Sequence, residues 1–252
     1  MNQLALGSWT LVHREMLHFF RDRSRMIGVL IQPLLFWFFI GTGLNASFQP
    51  SNGESYMSYF FPGILLMVVM FTAIFSTFSL MEDRSEGFLQ GVLASPTPRL
   101  AIVIGKVFGG ALVGTIQGCL FLLLLLLPNL DLQLKPVGFL WLPFWLFIMG
   151  CILTTIGFIM AWVMKSKAGY HSLMSVMLLP MWIFSGAVFQ YDEAPVWMRV
   201  AMQGNPLTHG LRLMRNTFEG HTLTMQQHGI ACTVVVGVWI ILTLWAVKLV
   251  KR

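Results

Sequence analysis

The chain has 252 residues, of which 56% are hydrophobic and only 10% charged, with a formal net charge of +6. Soluble domains carry about 25% charged residues, so one water-exposed core cannot absorb this apolar excess and much of the chain must be solvated by lipid. The basic residues sit at the ends of apolar runs instead of forming a stripe, which argues against nucleic acid, and Cys119, Cys151 and Cys232 lie inside apolar runs without metal-ligand or disulfide spacing.

Trp9, Val12, Met16 and Phe19 recur at helical spacing, while Arg14, His18, Arg21 and Arg25 share another face. This predicts an amphipathic helix over residues 1–25 lying at the membrane surface, its basic side near anionic lipid headgroups. Charge-free runs follow at 26–48, 55–81, 107–130, 136–164, 168–191 and 229–247. Each holds a core near the roughly 20 residues needed to cross a bilayer, so six spans are expected in an all-α integral membrane protein. The first run is too long for a cleaved signal sequence. Pro33 should bend the first span, and Pro62 should fall in the first turn of the second. With the N-terminus inside, all but Lys135, Arg199, Arg212 and Arg215 of the 16 Lys and Arg residues become cytoplasmic. The positive-inside rule then places both termini in the cytoplasm and residues 192–228 outside.

Between the second and third runs lies a polar island, residues 82–99, which starts on Glu82, Asp83 and Arg84. Its helix formers and spaced apolar residues (Phe88, Leu89, Leu93), ended by Pro96 and Pro98, predict a short cytoplasmic helix offered to a partner. Gly105, Gly109, Gly110, Gly114 and Gly118 give the next helix a small-residue face, suited to close packing within the chain or between subunits. Met160, Met164, Met174, Met177 and Met181 cluster around the turn at Lys165-Ser166-Lys167 and are read as ordinary core or a tolerant lining. In 192–228, Pro195 starts one short amphipathic run, Asn205-Pro206 breaks it, and a second follows with Arg212, Arg215 and Glu219 aligned on one face. These read as two short helices at the outer leaflet, with Arg212 and Arg215 as a candidate outer exit and Arg215 within reach of Glu219.

Motifs of catalysis are missing from the sequence: it contains neither HExxH nor GxSxG. Nor does Gly105-Lys106 complete a phosphate-binding loop, since Val107 follows and Leu100 stands where the first glycine belongs. No Asp or Glu lies in the six apolar runs, which argues against direct ion coupling through a carboxylate. Energy for transport must then come from a partner.

Six spans with cytoplasmic termini, the N-terminal amphipathic helix, a first cytoplasmic loop with Glu86-Gly87, Leu89, Leu93 and Pro96, and Asn205-Pro206 before the last span together resemble the permease subunits of type-2 ABC exporters. The resemblance spans residues 1–252 as a single transmembrane domain of the bacterial inner membrane. It implies a half-transporter in which a second permease chain pairs with this one and separate ABC ATPase subunits, which bind ATP and Mg, dock from the cytoplasm. The chain itself would hold no cofactor. Residues 82–99 would be the coupling helix, with Glu82, Asp83, Arg84, Glu86, Phe88, Leu89 and Leu93 as ATPase contacts; Phe88 and Gln90 depart from the small and acidic residues of many relatives. Spans one, two and five would wall the substrate path, lined by Phe36, Trp37, Met67, Met70, Met177 and Met181. Such an apolar wall suits export of a lipid-like, glycolipid or polysaccharide, or hydrophobic drug substrate. The alternative is a membrane-embedded enzyme or scaffold acting without an ATPase.

Overall fold

The computed structural model describes residues 3–45, 55–126, 132–218 and 223–251. Within them the architecture is helical, with a lone antiparallel bridge between Leu134 and Phe218. In chain order the helices are α1 (Gln3–Arg21), α2 (Arg23–Asn45), α3 (Tyr56–Ser85), α4 (Phe88–Ala94), α5 (Arg99–Phe121), α6 (Gly138–Val163), α7 (Lys167–Trp182), α8 (Val196–Gly204), α9 (Pro206–Arg215) and α10 (Met225–Lys251). Five of them, α2, α3, α5, α6 and α10, are long and apolar enough to cross a membrane. With no water in the hydrocarbon to receive backbone groups, helices whose hydrogen bonds close on themselves are the natural solution for such runs.

α3 is the hub. Of its apolar window 83% is buried, and of that of α6 72%, against 22% for α2 and 17% for α10. The last two helices therefore flank the core with most of their surface uncovered, including Phe38, Phe39, Ile241 and Leu244. Pro62 lies in the interior of α3, not in its first turn, because Ser55 caps the helix before Tyr56 and extends it toward the outer side by several residues. Pro33 likewise sits inside an unbroken α2.

The glycine face of α5 is used within the chain. A side chain at Gly105 or Gly109 would run into Leu11 or Glu15 of α1, one at Gly110 into Ser76 of α3 and Thr154 of α6, and one at Gly118 into Leu146 of α6. Close approach of backbones is what small residues permit in lipid, where helix association relies on packing. Gly110→Leu is accordingly expected to destabilise the fold by about 1–3 kcal/mol through overpacking. Gly43→Leu, at a position with open space around it, should leave thermal unfolding in lipid discs unchanged. Equal melting of the two variants would contradict this packing.

The run at 168–191 behaves differently from the other five. Its helix α7 has 16 residues, about 24 Å at 1.5 Å per residue and short of a bilayer's roughly 30 Å hydrocarbon core. A π-helical turn over Ile183–Ala187 continues it, and Gly186 breaks the helix at φ 85°. Pro180, unable to donate a backbone hydrogen bond, lies just before the change of pitch.

Candidate functional site

The end of α3 and the start of α5 build a protruding elbow. Glu86 caps α3, Gly87 turns the chain at φ 85°, a left-handed conformation that side chains disfavour, and α4 follows at once. Seven residues make no stable helix alone, so packing must hold α4 in place. Leu89 supplies the anchor, being 5% exposed. The Arg14 guanidinium lies 3.8 Å above the Phe88 ring, and the Gln90 amide donates to the Arg84 carbonyl at 3.2 Å. What remains outside is Glu86, Phe88 (38% exposed), Gly91 and Leu93 (41% exposed). Two grooves flank this ridge. One, of about 560 Å³, is mainly apolar and runs between α1 and α4 along Leu6, Leu11, Val92 and Pro96. The other, of about 640 Å³, is charged and is lined by His13, Arg14, His18, Arg21, Asp22, Arg25, Glu82 and Glu86.

Beneath the ridge sits a buried ion network. Lys106 Nζ on α5 lies 2.7 Å from Glu15 Oε2 on α1 and 2.7 Å from Asp83 Oδ2 on α3, and donates to Ser79 Oγ at 2.9 Å. The other Glu15 oxygen accepts from Ser79 Oγ at 2.7 Å and Ser76 Oγ at 3.1 Å. Arg14 forks onto both oxygens of Asp83. Buried charges persist only when paired and hydrogen-bonded, and here two cations face two anions.

Among the expected docking residues, the structure turns three inward. Asp83 joins this network; Glu82 meets Arg25 at 3.5 Å; Arg84 donates to the carbonyls of Trp162 (2.8 Å) and Met164 (3.1 Å). The last carbonyls of a helix lack intrahelical partners, and Arg84 closes those of α6. Glu15 and Lys106 were not singled out by sequence reasoning. A signal existed for Glu15: it lies four residues from Leu11 and from Phe19, both buried on the same face of α1, where an acid needs a partner.

A profile of the ABC-2 type transporter family matches residues 7–218, from the first turns of α1 to the end of the outer segment. The chain belongs to this family. It is 29% identical to a putative transport permease, ycf38, of Cyanophora paradoxa over 82% of this chain and 72% of that one. It is 24% identical to nodulation protein J of Rhizobium leguminosarum bv. trifolii (84% and 82%) and 26% identical to the daunorubicin resistance ABC transporter permease protein DrrB1 of Streptomyces coeruleorubidus (84% and 76%). It is thus a multi-pass transport permease.

In this permease the six expected path residues do not form one surface. Met67 and Met70 are wholly covered inside the chain. Trp37 packs against Phe61 at 5.8 Å, Phe36 meets Trp182 edge-on at 6.4 Å, and Met177 and Met181 are half-buried on α7. At the outer end the permease uses Arg215 to close the break after α7. Its guanidinium donates to the Gly186 carbonyl at 2.8 Å and lies 4.0 Å over the Tyr59 ring, while the Tyr59 hydroxyl donates to the same carbonyl at 2.8 Å. Tyr56 donates to Val188 O (3.0 Å), Asn205 to Met181 O (2.5 Å) and Thr208 to Phe184 O (3.3 Å). The carbonyls that an interrupted helix frees are thereby satisfied, as a membrane segment demands. Arg212 lies 4.6 Å over Tyr191, and Glu219, the expected partner of Arg215, is outside the described residues. Arg215→Ala is expected to lower stability by about 2 kcal/mol, the range for hydrogen bonds from charged groups. Arg212→Ala should cost below about 1 kcal/mol, as for an exposed cation over a ring. Equal thermal shifts for the two variants would remove the clamp.

Proposed function

We propose that this permease is the membrane half of an ATP-driven exporter, moved by a separate ABC ATPase that docks on α4. The observation that carries the reading is the α4 ridge: an aromatic and a leucine held outward on a helix too short to have another structural purpose, in a chain of the ABC-2 family. Phe88, Leu93 and Glu86 make the contact, Leu89 anchors the ridge, and Glu82, Asp83 and Arg84 connect it to α2, α1 and α6. ATP and Mg are held by the ATPase, and this chain contributes no cofactor site.

Residues 1–25 and 82–99 lie on the cytoplasmic side of the inner membrane with both termini, and 192–228 lies outside. α7 with its π-helical turn serves as the sixth span, its short reach completed by the outer segment that Arg215 ties to it. Two permease chains pair, with the uncovered faces of α2 and α10 meeting lipid or the second chain. Phe36, Met177 and Met181 stay half-exposed between α2 and α7 and are the path residues of this reading, with Arg212 near its exit. The substrate is lipid-like, a glycolipid or polysaccharide, or a hydrophobic drug; the naming of one relative for daunorubicin resistance supports the last of these.

The test is co-purification of the permease with the ABC ATPase encoded beside it, followed by reconstitution into vesicles. A stable complex that moves an amphiphile only with ATP is expected. Absence of both complex and nucleotide-dependent transport would sink the reading.

A further inference from the structure

Lys106 lies where three helices meet: α5 carries it, α1 brings Glu15, and α3 brings Asp83 and Ser79. The side chains of all three ionic groups are at most 5% exposed. Such a cluster adds little to stability over a well-packed apolar one, because desolvating the charges offsets most of their attraction. Its physical distinction is stiffness. Apolar surfaces slide past each other at small cost, whereas short ionic hydrogen bonds in a dry site are specific in distance and direction.

Stiffness matters at this position because the surface around it is smooth. α1 rests on α5 through Gly105 and Gly109, which present backbone, not ridges, to Ser8, Leu11, Val12 and Glu15. Interlocking side chains are what resist sliding between packed helices, and glycines offer none. Lys106 is the residue between those glycines that reaches across to both neighbours. From Asp83 the chain of contacts continues to Arg14 and then to Phe88 on the exposed ridge.

We propose that Lys106, Glu15 and Asp83 are positioning residues of energy coupling. They form an ionic joint that converts displacement of Phe88 into a concerted movement of α1, α3 and α5 by preventing slippage along the glycine face. The inference rests on the reading of α4 as the ATPase dock. Arg14 links the ridge to the joint, and the serines Ser76 and Ser79 hold the Glu15 carboxylate at the angle Lys106 requires.

The experiment uses the permease–ATPase complex in vesicles and reads substrate moved per ATP hydrolysed, the ATPase kcat and the KM for ATP. The variant E15Q/D83N/K106M removes all three charges together and leaves no carboxylate or ammonium of the joint unpaired. E15Q alone is the milder arm, since Lys106 keeps Asp83. For the triple variant, a fall of about tenfold in substrate moved per ATP is expected, within the range by which coupling residues act, with ATPase kcat and KM retained. E15Q should fall by less, and K106R, which retains a cation toward both carboxylates, should recover much of the ratio. A triple variant with the wild-type ratio overturns the proposal. So does loss of complex assembly in both the triple variant and E15Q, because the network would then be holding the fold instead of transmitting motion. A wild-type complex without ATP-driven transport would instead overturn the docking reading beneath it.

Discussion

Phe88→Asp is expected to abolish ATP-driven transport while the permease still inserts and folds. The ring is 38% exposed at the crest of α4 and is stacked under Arg14 at 3.8 Å, so it is both presented and held rigid. Rigid aromatic anchors carry a disproportionate share of interface energy, about 2 kcal/mol or more at a hot spot, equivalent to some thirtyfold in affinity. The new carboxylate would also compete with Asp83 for Arg14 and slacken the contact beneath. The fold tolerates the change because Leu89, not Phe88, is the buried anchor. Pull-down of the ATPase with tagged permease, alongside transport, reads the outcome. Phe88→Tyr should retain both, and wild-type capture by Phe88→Asp would mean that docking lies elsewhere.

Lys106→Met should be the most destabilising single change in the cytoplasmic half, by about 3–5 kcal/mol, since removing one partner leaves buried charge uncompensated. Glu15 would retain only the hydroxyls of Ser76 and Ser79, at 3% exposure, with no cation in reach at the observed distances. Asp83 suffers less because Arg14 remains forked onto it. Thermal unfolding in lipid discs should fall by roughly 10 °C, given about 2–4 °C per kcal/mol for a chain of this size. Adding E15Q should recover part of the loss. A double variant no better than Lys106→Met would show that the cost is lost packing of the lysine stem.

Much of the fold was legible because lipid leaves few options. A charge-free run of bilayer length must close its backbone hydrogen bonds as a helix, and five of the six runs became helices of spanning length. The short helix between the second and third spans was readable from Phe88, Leu89 and Leu93 ended by prolines, and α4 occupies Phe88–Ala94. The run at 168–191 shows where length alone misleads. Its composition was apolar enough, yet Pro180 and Gly186 interrupt the helix, and only side chains from α3, α8–α9 and their junction, namely Tyr59, Tyr56, Asn205 and Arg215, make that interruption stable. Arg215 looked like a solvent-facing cation at an exit because helical spacing says nothing about which carbonyl waits across the bundle.

The same limit governs the docking surface. Sequence by itself determined that this is a membrane chain, which stretches can cross lipid, where the chain breaks for α4, and that the polar island is set apart from the spans; these follow from local composition and from backbone hydrogen bonding. Tertiary structure alone decided which way each polar group of that island faces. Glu15, Asp83 and Lys106 are separated by 91 and 27 residues along the chain from first to last and from the serine of α3 to the lysine. Only the close packing of α1 and α3 on the glycine face of α5 brings them within 2.7 Å. Once there, the absence of water makes pairing obligatory, so Asp83 turns inward and the outward contact falls to Phe88, Leu93 and Glu86.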